Sequence, residues 1–578
     1  MKYTSEKSIL ILIALLKRFN IRKVIASPGT MNISFVGSIE QDPFFTVYSA
    51  PDERSAAYMA CGLTKESSEV VVITCTGATA SRNYFPGLTE AFYSKLPILV
   101  ITFTQPFSLI GQNIPQVLDR RIEPCDVFVK IEHIPSVNVD DDAKYCELAI
   151  NNVINSILGT NPGPVLLNMV SACSQDYSVS ELPEVTDIRT YFFGCDLPRL
   201  PKERIGIYVS EHKKWTKTLT KIVDKFCEIH NAVVFCDRTS NYYGKYGVYA
   251  SLICSQDEYF SPLRVCSLLI YIGNVFGTDM SIISNETWRV NPDGKIRNPF
   301  GNLKNVFAMT EEQFFLSYIE KTNVKKLSYY EMWNHEFNEV QSNVEDDLPF
   351  SNAWIAFKTL KLLPSNCNLH LGILNSLRCW SFFDFGTCIY GQSNTGGFGI
   401  DGCVSTMIGA SLFNPNKLYY GVVGDLAFFY DMNVLGNRHI SKNVRLIVIN
   451  NGKGTEFRMY NHIGKIFGND ADKYIAAGGH YGNKSKELLK FYSLNLGYKY
   501  LSACNKSQFI ERLKEFLIPL NESTQPIIFE IFTNSEEESK ALFYLRHLKV
   551  DKTIQVKKFS KLILGDRGIK FVKKILKN

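Results

Sequence analysis

Short β-rich runs recur along this chain with helical stretches between them, and that alternation restricts its fold more than any other feature. In the first block, up to about residue 180, the runs are KVIASPGT, VVVITCTGA, LPILVITFT and GPVLLNMV, each ended by small or polar residues. RIGIYVS, NAVVFCD and LLIYIGN follow with weaker alternation, then LHLGIL, KLYYGVVGD, VRLIVINN and QPIIFEIF. Strands alternating with helices require crossover connections, so the sheets must be parallel and covered by helices on both faces. A proline-punctuated stretch (Pro183, Pro198, Pro201) and a polar, acidic one at 342–349 separate the blocks. The expectation is an α/β chain of three domains, each a mostly parallel sheet flanked by helices: 1–182, 200–340 and 350–545, with a basic tail over 546–578. The first and third blocks read as two similar layers.

Composition excludes several classes. Hydrophobic residues make up 45% and charged residues 21% of 578 residues, the balance of a soluble globular chain. The apolar run Ile9–Leu16 is far shorter than the ~18–20 residues of a membrane span. Charges flank it and no small-residue cleavage site is visible, so it reads as an amphipathic first helix rather than a signal peptide. Fifteen cysteines with no CxxC pair follow no disulfide or zinc spacing. They read as reduced core thiols, which points to the cytoplasm. The net charge of +6 is misleading, because Lys549–Asn578 alone carries +8 and the remaining body −2. That distribution gives no basis for nucleic-acid binding.

Two short motifs carry the chemistry. Gly424-Asp425 ends the run YYGVV, and Asn450-Asn451 ends RLIVI. Asp425 and Asn451 are 26 positions apart, and the interval holds a helix (roughly Ala427–Asn437), a loop and a return strand. Both side chains are thereby brought to the carboxyl ends of neighbouring parallel strands, where α/β sheets bind ligands. A carboxylate and an amide oxygen suit Mg²⁺ shared with a phosphate, and the helix start beside them offers free N–H groups. GKGT at 452–455 is not a Walker site, since position 447 is Ile rather than Gly.

This pair resembles the GD-x(24–27)-NN motif of thiamine-diphosphate (ThDP) enzymes. SPGT (27–30), PDERSAAYMACGLTK (51–65), CTGATASRNYFPGLTEAF (75–92) and LPILVITFTQP (96–106) stand in the order of the pyrimidine-binding domain of that family. GFGIDGCVSTMIGA (397–410) and VVGDLAFFYDMNVL (422–435) match its diphosphate-binding domain, and GIDG, GDL and YDMN are most similar to the menaquinone-pathway succinyl-enolpyruvyl-hydroxycyclohexene-carboxylate synthases. The resemblance covers about residues 5–540. It implies that Asp425, Asn451 and the main-chain carbonyl of Lys453 hold Mg²⁺ against ThDP. It further implies that Glu53 activates the cofactor, that Ile400 supports it between its rings, and that Ser27, Gly77, Asn375, Ser376, Gly424 and the amides of Leu426 and Ala427 contact it. Gln116 is matched to the glutamine facing the reacting carbon, with Gln112 and Asn113 as alternatives. Ala427 stands where the family often has Ser. The cofactor would lie between the first block of one subunit and the third of another, so a homodimer or a dimer of dimers is implied. No glycine-rich dinucleotide signature marks the middle block, and FAD is not expected.

Arginines that the menaquinone synthases use for their polyanionic substrates are missing: Met31, Gln105, Trp380 and Thr395 stand in their places. Arg378 and Arg458 lie near enough in sequence to compensate for one loss. The implied function is a ThDP- and Mg²⁺-dependent carboligase. It would decarboxylate a 2-oxo acid and transfer the acyl-anion equivalent to an acceptor other than the menaquinone-pathway substrate. The alternatives are a non-ligating 2-oxo acid decarboxylase and a true menaquinone-pathway synthase. The tail, with Ile569, Val572, Lys573, Ile575 and Leu576 in an amphipathic pattern, favours folding onto the enzyme's own slightly acidic body over resting on an anionic membrane surface.

Overall fold

The computed structural model describes residues 2–551, with 202, 279, 320–327, 346 and 482–483 excepted. By compactness the chain divides into one unit of Met1–Leu197 with Asn291–Met309, and a second of Pro198–Val290 with the residues from Thr310 onward. The amphipathic pattern expected in the tail lies outside the described residues.

In the first unit, β1 (Lys23–Ala26), β2 (Thr46–Ser49), β3 (Val71–Thr76), β4 (Ile98–Thr104), β5 (Lys130–Ile134) and β6 (Val165–Val170) form a sheet in the order β2-β1-β3-β4-β6-β5. Its pairings are parallel, as in Ile73↔Val100 and Val100↔Leu166. The inner strands are buried along their length because helices cover both faces, which is why they read as unbroken apolar runs. The first helix forms as Lys7–Arg18, and since Ser8–Leu16 are all buried it packs within the core. β7 (Arg189–Phe192) falls inside the proline-punctuated stretch and pairs in parallel with β13 (Leu303–Ala308).

The second unit holds β8 (Ile205–Val209), β9 (Ala232–Phe235), β10 (Gly247–Val248), β11 (Val265–Ile272) and β12 (Ile283–Val290) in the order β10-β9-β8-β11-β12. It also holds a six-stranded sheet of β14 (Asn368–Leu371), β15 (Tyr390–Gln392), β16 (Tyr419–Gly424), β17 (Val444–Asn450), β18 (Lys499–Ala503) and β19 (Ile527–Phe532), ordered β15-β14-β16-β17-β19-β18.

Read in chain order within each sheet, the first and third follow one strand order, 2-1-3-4-6-5. This is the likeness the two sequence blocks suggested. In both, the chain leaves the first strand toward one edge and the third toward the other, so a crevice opens between them at the carboxyl ends. Ser27 and Gly77 follow β1 and β3 in the first sheet. The Asn375-Ser376 segment and Asp425 follow β14 and β16 in the third.

Ten of the fifteen cysteines are buried and all fifteen are free, as expected of core thiols. Among the described residues no helix is long and apolar enough to cross a membrane.

Candidate active site

The third sheet builds the more complete half. Gly424 and Ile449 are register partners in the parallel pair β16–β17, which brings Asp425 and Asn451 to adjacent strand ends. The helix after β16 runs over Asp425–Asp431 and tightens into a 3₁₀ turn at Met432–Gly436. It therefore starts two residues earlier than its sequence suggests, on Asp425 itself. The Asp425 carboxylate accepts from Leu426 N–H at 2.9 Å and from Gly452 N–H at 2.7 Å, tying β16 to the loop after β17. Burial is the main force raising its pKa to about 7; the two N–H groups counter this in part and the charge of Glu530 adds to it. Among the described residues Asp425 has no cationic partner.

Asn451 Oδ1 is buried without a hydrogen-bond partner. A buried carboxylate lacking a counter-charge, next to an unused amide oxygen, is a donor set that fits a hard divalent cation. The Lys453 ammonium is turned away to Asp472 Oδ2 at 2.6 Å, leaving its main chain at the strand end. A Cβ added at Gly424 would meet no atom within 4 Å, so open space lies in front of the strand. Leu426 N–H is taken up by Asp425, whereas the Ala427 amide, early in its helix, has no intrahelical carbonyl to bond.

Across the crevice, the helix Asn375–Ser381 starts from Leu374 at φ 65 and ψ −117, a strained conformation for a residue with a Cβ. Asn375 Oδ1 accepts from Arg378 at 3.1 Å, and Ser376 Oγ accepts from Asn352 Nδ2 at 3.1 Å. Asn352 also accepts from the Trp380 indole at 3.0 Å, and its own N–H donates to Glu538 at 3.0 Å. Ile400 is half-buried against the cluster containing Met407, Val423 and Ala427. Both proposed compensators have a carboxylate of the chain beside them, although Arg458 Nη1 is buried without a hydrogen-bond partner. Arg378 pairs with both oxygens of Glu456, at 2.7 and 3.0 Å, and Arg458 lies 3.6 Å from Asp472 and donates to Asn469 at 2.9 Å.

In the first unit, Glu53 opens the helix Glu53–Ser67, which Asp52 caps by accepting from Ser55 N–H at 3.0 Å. Glu53 Oε2 accepts from Asn83 Nδ2 at 3.0 Å, and the same amide reaches Asp52 Oδ1 at 3.2 Å. The helix can approach its neighbour because the contact is made of small residues. A Cβ on Gly87 would lie 2.5 Å from Ala57 Cβ, and Ala56, Ala57 and Ala60 are fully buried. Ser27 is buried at the end of β1, its carbonyl accepting from Asn32 Nδ2 at 2.9 Å. A cavity of about 1010 Å³ opens beside it, lined by Gly29, Thr30 and Tyr48 among others. Gly77 is required by close approach: its N–H donates to Phe103 O at 2.7 Å, and a Cβ would lie 2.8 Å from that oxygen. Gln116, Gln112 and Asn113 are exposed, and Gln116 has a positive φ of 65.

Several supporting residues escaped the sequence reading. Asn83 orients Glu53. Arg120 is buried against Glu123 and holds the Gly77 carbonyl at 3.0 Å. Glu530 accepts from Asn450 at 2.6 Å and Tyr500 at 2.7 Å behind the Asn450-Asn451 pair. The signal was faint in each case, because Asn83 with Glu53, Arg120 with Gly77, and Glu530 with Asn450 are each joined across 30 or more positions.

The chain is similar to known proteins along most of its length. Residues 10–121 match the family described as thiamine pyrophosphate enzyme, N-terminal TPP binding domain. A 2-succinyl-5-enolpyruvyl-6-hydroxy-3-cyclohexene-1-carboxylate synthase of Bacteroides thetaiotaomicron is 29% identical over 564 residues, covering 93% of this chain and 98% of its own. The protein of that description from Flavobacterium psychrophilum is 26% identical, covering 91% of this chain and 96% of its own. Among solved structures, a thiamine diphosphate-dependent 4-hydroxybenzoylformate decarboxylase of Rhodococcus jostii RHA1 aligns over 91% of this chain and 99% of its own, at 14% identity and a TM-score of 0.39.

Proposed function

We propose that this chain, a thiamine-diphosphate-dependent enzyme by its N-terminal domain and by relatives matching it along almost its whole length, is a Mg²⁺-dependent 2-oxo acid decarboxylating carboligase with an acceptor less anionic than the menaquinone-pathway substrate. ThDP, when bound, supplies the carbon nucleophile and the electron sink for loss of CO₂ from a 2-oxo acid. This chain's residues do the rest. Asp425, Asn451 and the Lys453 carbonyl would hold Mg²⁺, with Asn375, Ser376 and the Ala427 amide on the diphosphate side. Ile400 would shape the cofactor. Glu53, kept in place by Asn83, would hold the proton that activates it, and Gln116 would face the substrate. Ser27 and Gly77 would form the pyrimidine-side cradle.

The observation that carries the choice of acceptor is the state of the cations near the strand ends. Arg378, Arg458 and Lys453 are all engaged by carboxylates of the chain itself. Of the positions where the resemblance calls for arginine, Trp380 is fully buried with its indole bonded to Asn352, and Met31 is buried beside Cys173. Each missing charge-assisted bond is worth ~1.5–3 kcal/mol, so a substrate pair with several carboxylates would be held weakly. The relatives' printed activity therefore does not transfer unchanged.

The test is a panel of mono- and dicarboxylic 2-oxo acids assayed for CO₂ release with ThDP and Mg²⁺, followed by product analysis with the menaquinone-pathway acceptor and with neutral carbonyl acceptors. Turnover of a monocarboxylic acid with ligation to a neutral acceptor is expected. Efficient formation of 2-succinyl-5-enolpyruvyl-6-hydroxy-3-cyclohexene-1-carboxylate would overturn the reading. A homodimer or dimer of dimers belongs to the same proposal, and light scattering on the holoenzyme tests it.

A further inference from the structure

The third sheet carries a second cavity at the opposite ends of its strands. Asn366 precedes β14, Tyr390 begins β15, and both line a pocket of about 450 Å³ together with Lys214, Trp215, Lys217, Lys221 and Tyr243 of the preceding domain. The candidate active site lies at the carboxyl ends of the same strands. Six-residue β16 spans about 20 Å, so the pocket is a separate place in the fold.

Its lining is strongly basic. Lys214, Lys217 and Lys221 have no carboxylate within ion-pair distance among the described residues, whereas five of the eight lysines from position 2 to position 144 are paired with one. Lys417 stands over the Tyr390 ring at 5.7 Å, and the charge of Lys214 helps to lower its pKa after burial. Four cations thus converge where Coulomb repulsion opposes them, and the helix Lys217–His230 has no acidic residue in its first turn.

The floor is held by hydrogen bonds. Trp215 Nε1 donates to Ser240 O at 2.9 Å, Tyr243 OH bonds the Ile389 carbonyl, and Asn241 exchanges hydrogen bonds with Gly391 at 2.8 and 3.0 Å. Those bonds fix the Trp215 and Tyr243 rings and the backbone beside Tyr390 around a volume of the size small-molecule sites have. Lysines at the rim meet a phosphate as point charges, and fixed aromatic faces stack on a planar ring.

We propose that this pocket binds a nucleoside di- or triphosphate, with its phosphates on Lys214, Lys217, Lys221 and Lys417 and its base against Trp215 and Tyr390. Binding at the far strand ends makes it an effector site and not part of the reaction, and it does not depend on the donor or acceptor proposed above.

The test is calorimetric titration of the full chain, loaded with Mg²⁺ and saturating ThDP, with ADP, with inorganic pyrophosphate and with adenosine. Saturable ADP binding is expected, at least 10-fold tighter than pyrophosphate or adenosine. The variant K214Q/K217Q/K221Q should lose at least 10-fold in ADP affinity with ThDP-dependent CO₂ release retained, while K225Q, whose lysine pairs with Glu228 on the same helix, should bind normally. Absence of saturable ADP binding at millimolar concentration, or unchanged binding in the triple variant, would overturn the site. Pyrophosphate binding as tightly as ADP would overturn the stacking role of the rings, and loss of ADP binding in D425N would assign it to the cofactor site instead.

Discussion

Glu538 offers a quantitative test of the wall behind the Asn375–Ser376 segment. It is almost wholly buried, and its oxygens accept from Asn352 N–H at 3.0 Å and Thr533 OH at 2.8 Å. Burial, partly offset by those two donors, raises its pKa from 4.5 to about 7. An acid whose folded pKa is raised contributes stability that is fully present below its unfolded value and is lost as pH climbs through the folded one. The window here runs from about 4.5 to 7, and between pH 5 and pH 8 the loss is on the order of 2–3 kcal/mol. Glu538→Gln keeps a neutral acceptor and removes the titration. Other buried acids titrate alike in both proteins, so the difference between variant and wild type isolates Glu538. Thermal unfolding of both at pH 5 and pH 8 should show the variant gaining roughly 2–3 °C relative to wild type on going to pH 8. Parallel pH dependences in the two proteins would refute the reasoning.

Other expectations follow from the same contacts. Asn451→Ala removes an oxygen with no protein partner, so the melting temperature of the metal-free protein should shift by no more than about 1–2 °C while Mg²⁺-dependent ThDP affinity, read by calorimetry, falls at least 10-fold. Gly87→Ala drives a methyl into Ala57 and should cost about 1–3 kcal/mol; by displacing the helix that begins at Glu53 it should also lower kcat for CO₂ release. Gly421→Ala, whose Cβ would sit 2.4 Å from Met407 Sδ in the core of the third sheet, should destabilise by a similar ~1–3 kcal/mol in thermal unfolding.

What the sequence disclosed depended on where each strand lies. β3, β4, β6, β16, β17 and β19 are covered on both faces, so burial alone writes them as apolar runs. β2, β5, β7 and β18 are largely half-exposed, and their polar residues hid them among loops. β12, ISNETWRV, was obscured by its polar first half. The positions of Asp425 and Asn451 were legible because a strand–helix–strand spacing fixes both ends. The pairing of Arg378 with Glu456 was not, since 78 positions separate them and only the folded loop after β17 joins them. The pocket at the amino ends of β14 and β15 was equally hidden, its lysines and tyrosines coming from segments far apart in the chain.

The central claim is that the ends of β16 and β17 seat a divalent cation for ThDP. The most direct measurement is calorimetric titration of EDTA-stripped protein with ThDP, with and without Mg²⁺, on wild type and on Asp425→Asn. ThDP binding that requires Mg²⁺ in the wild type and is lost in the variant is the expected result. Equal binding without Mg²⁺, or in Asp425→Asn, would contradict it.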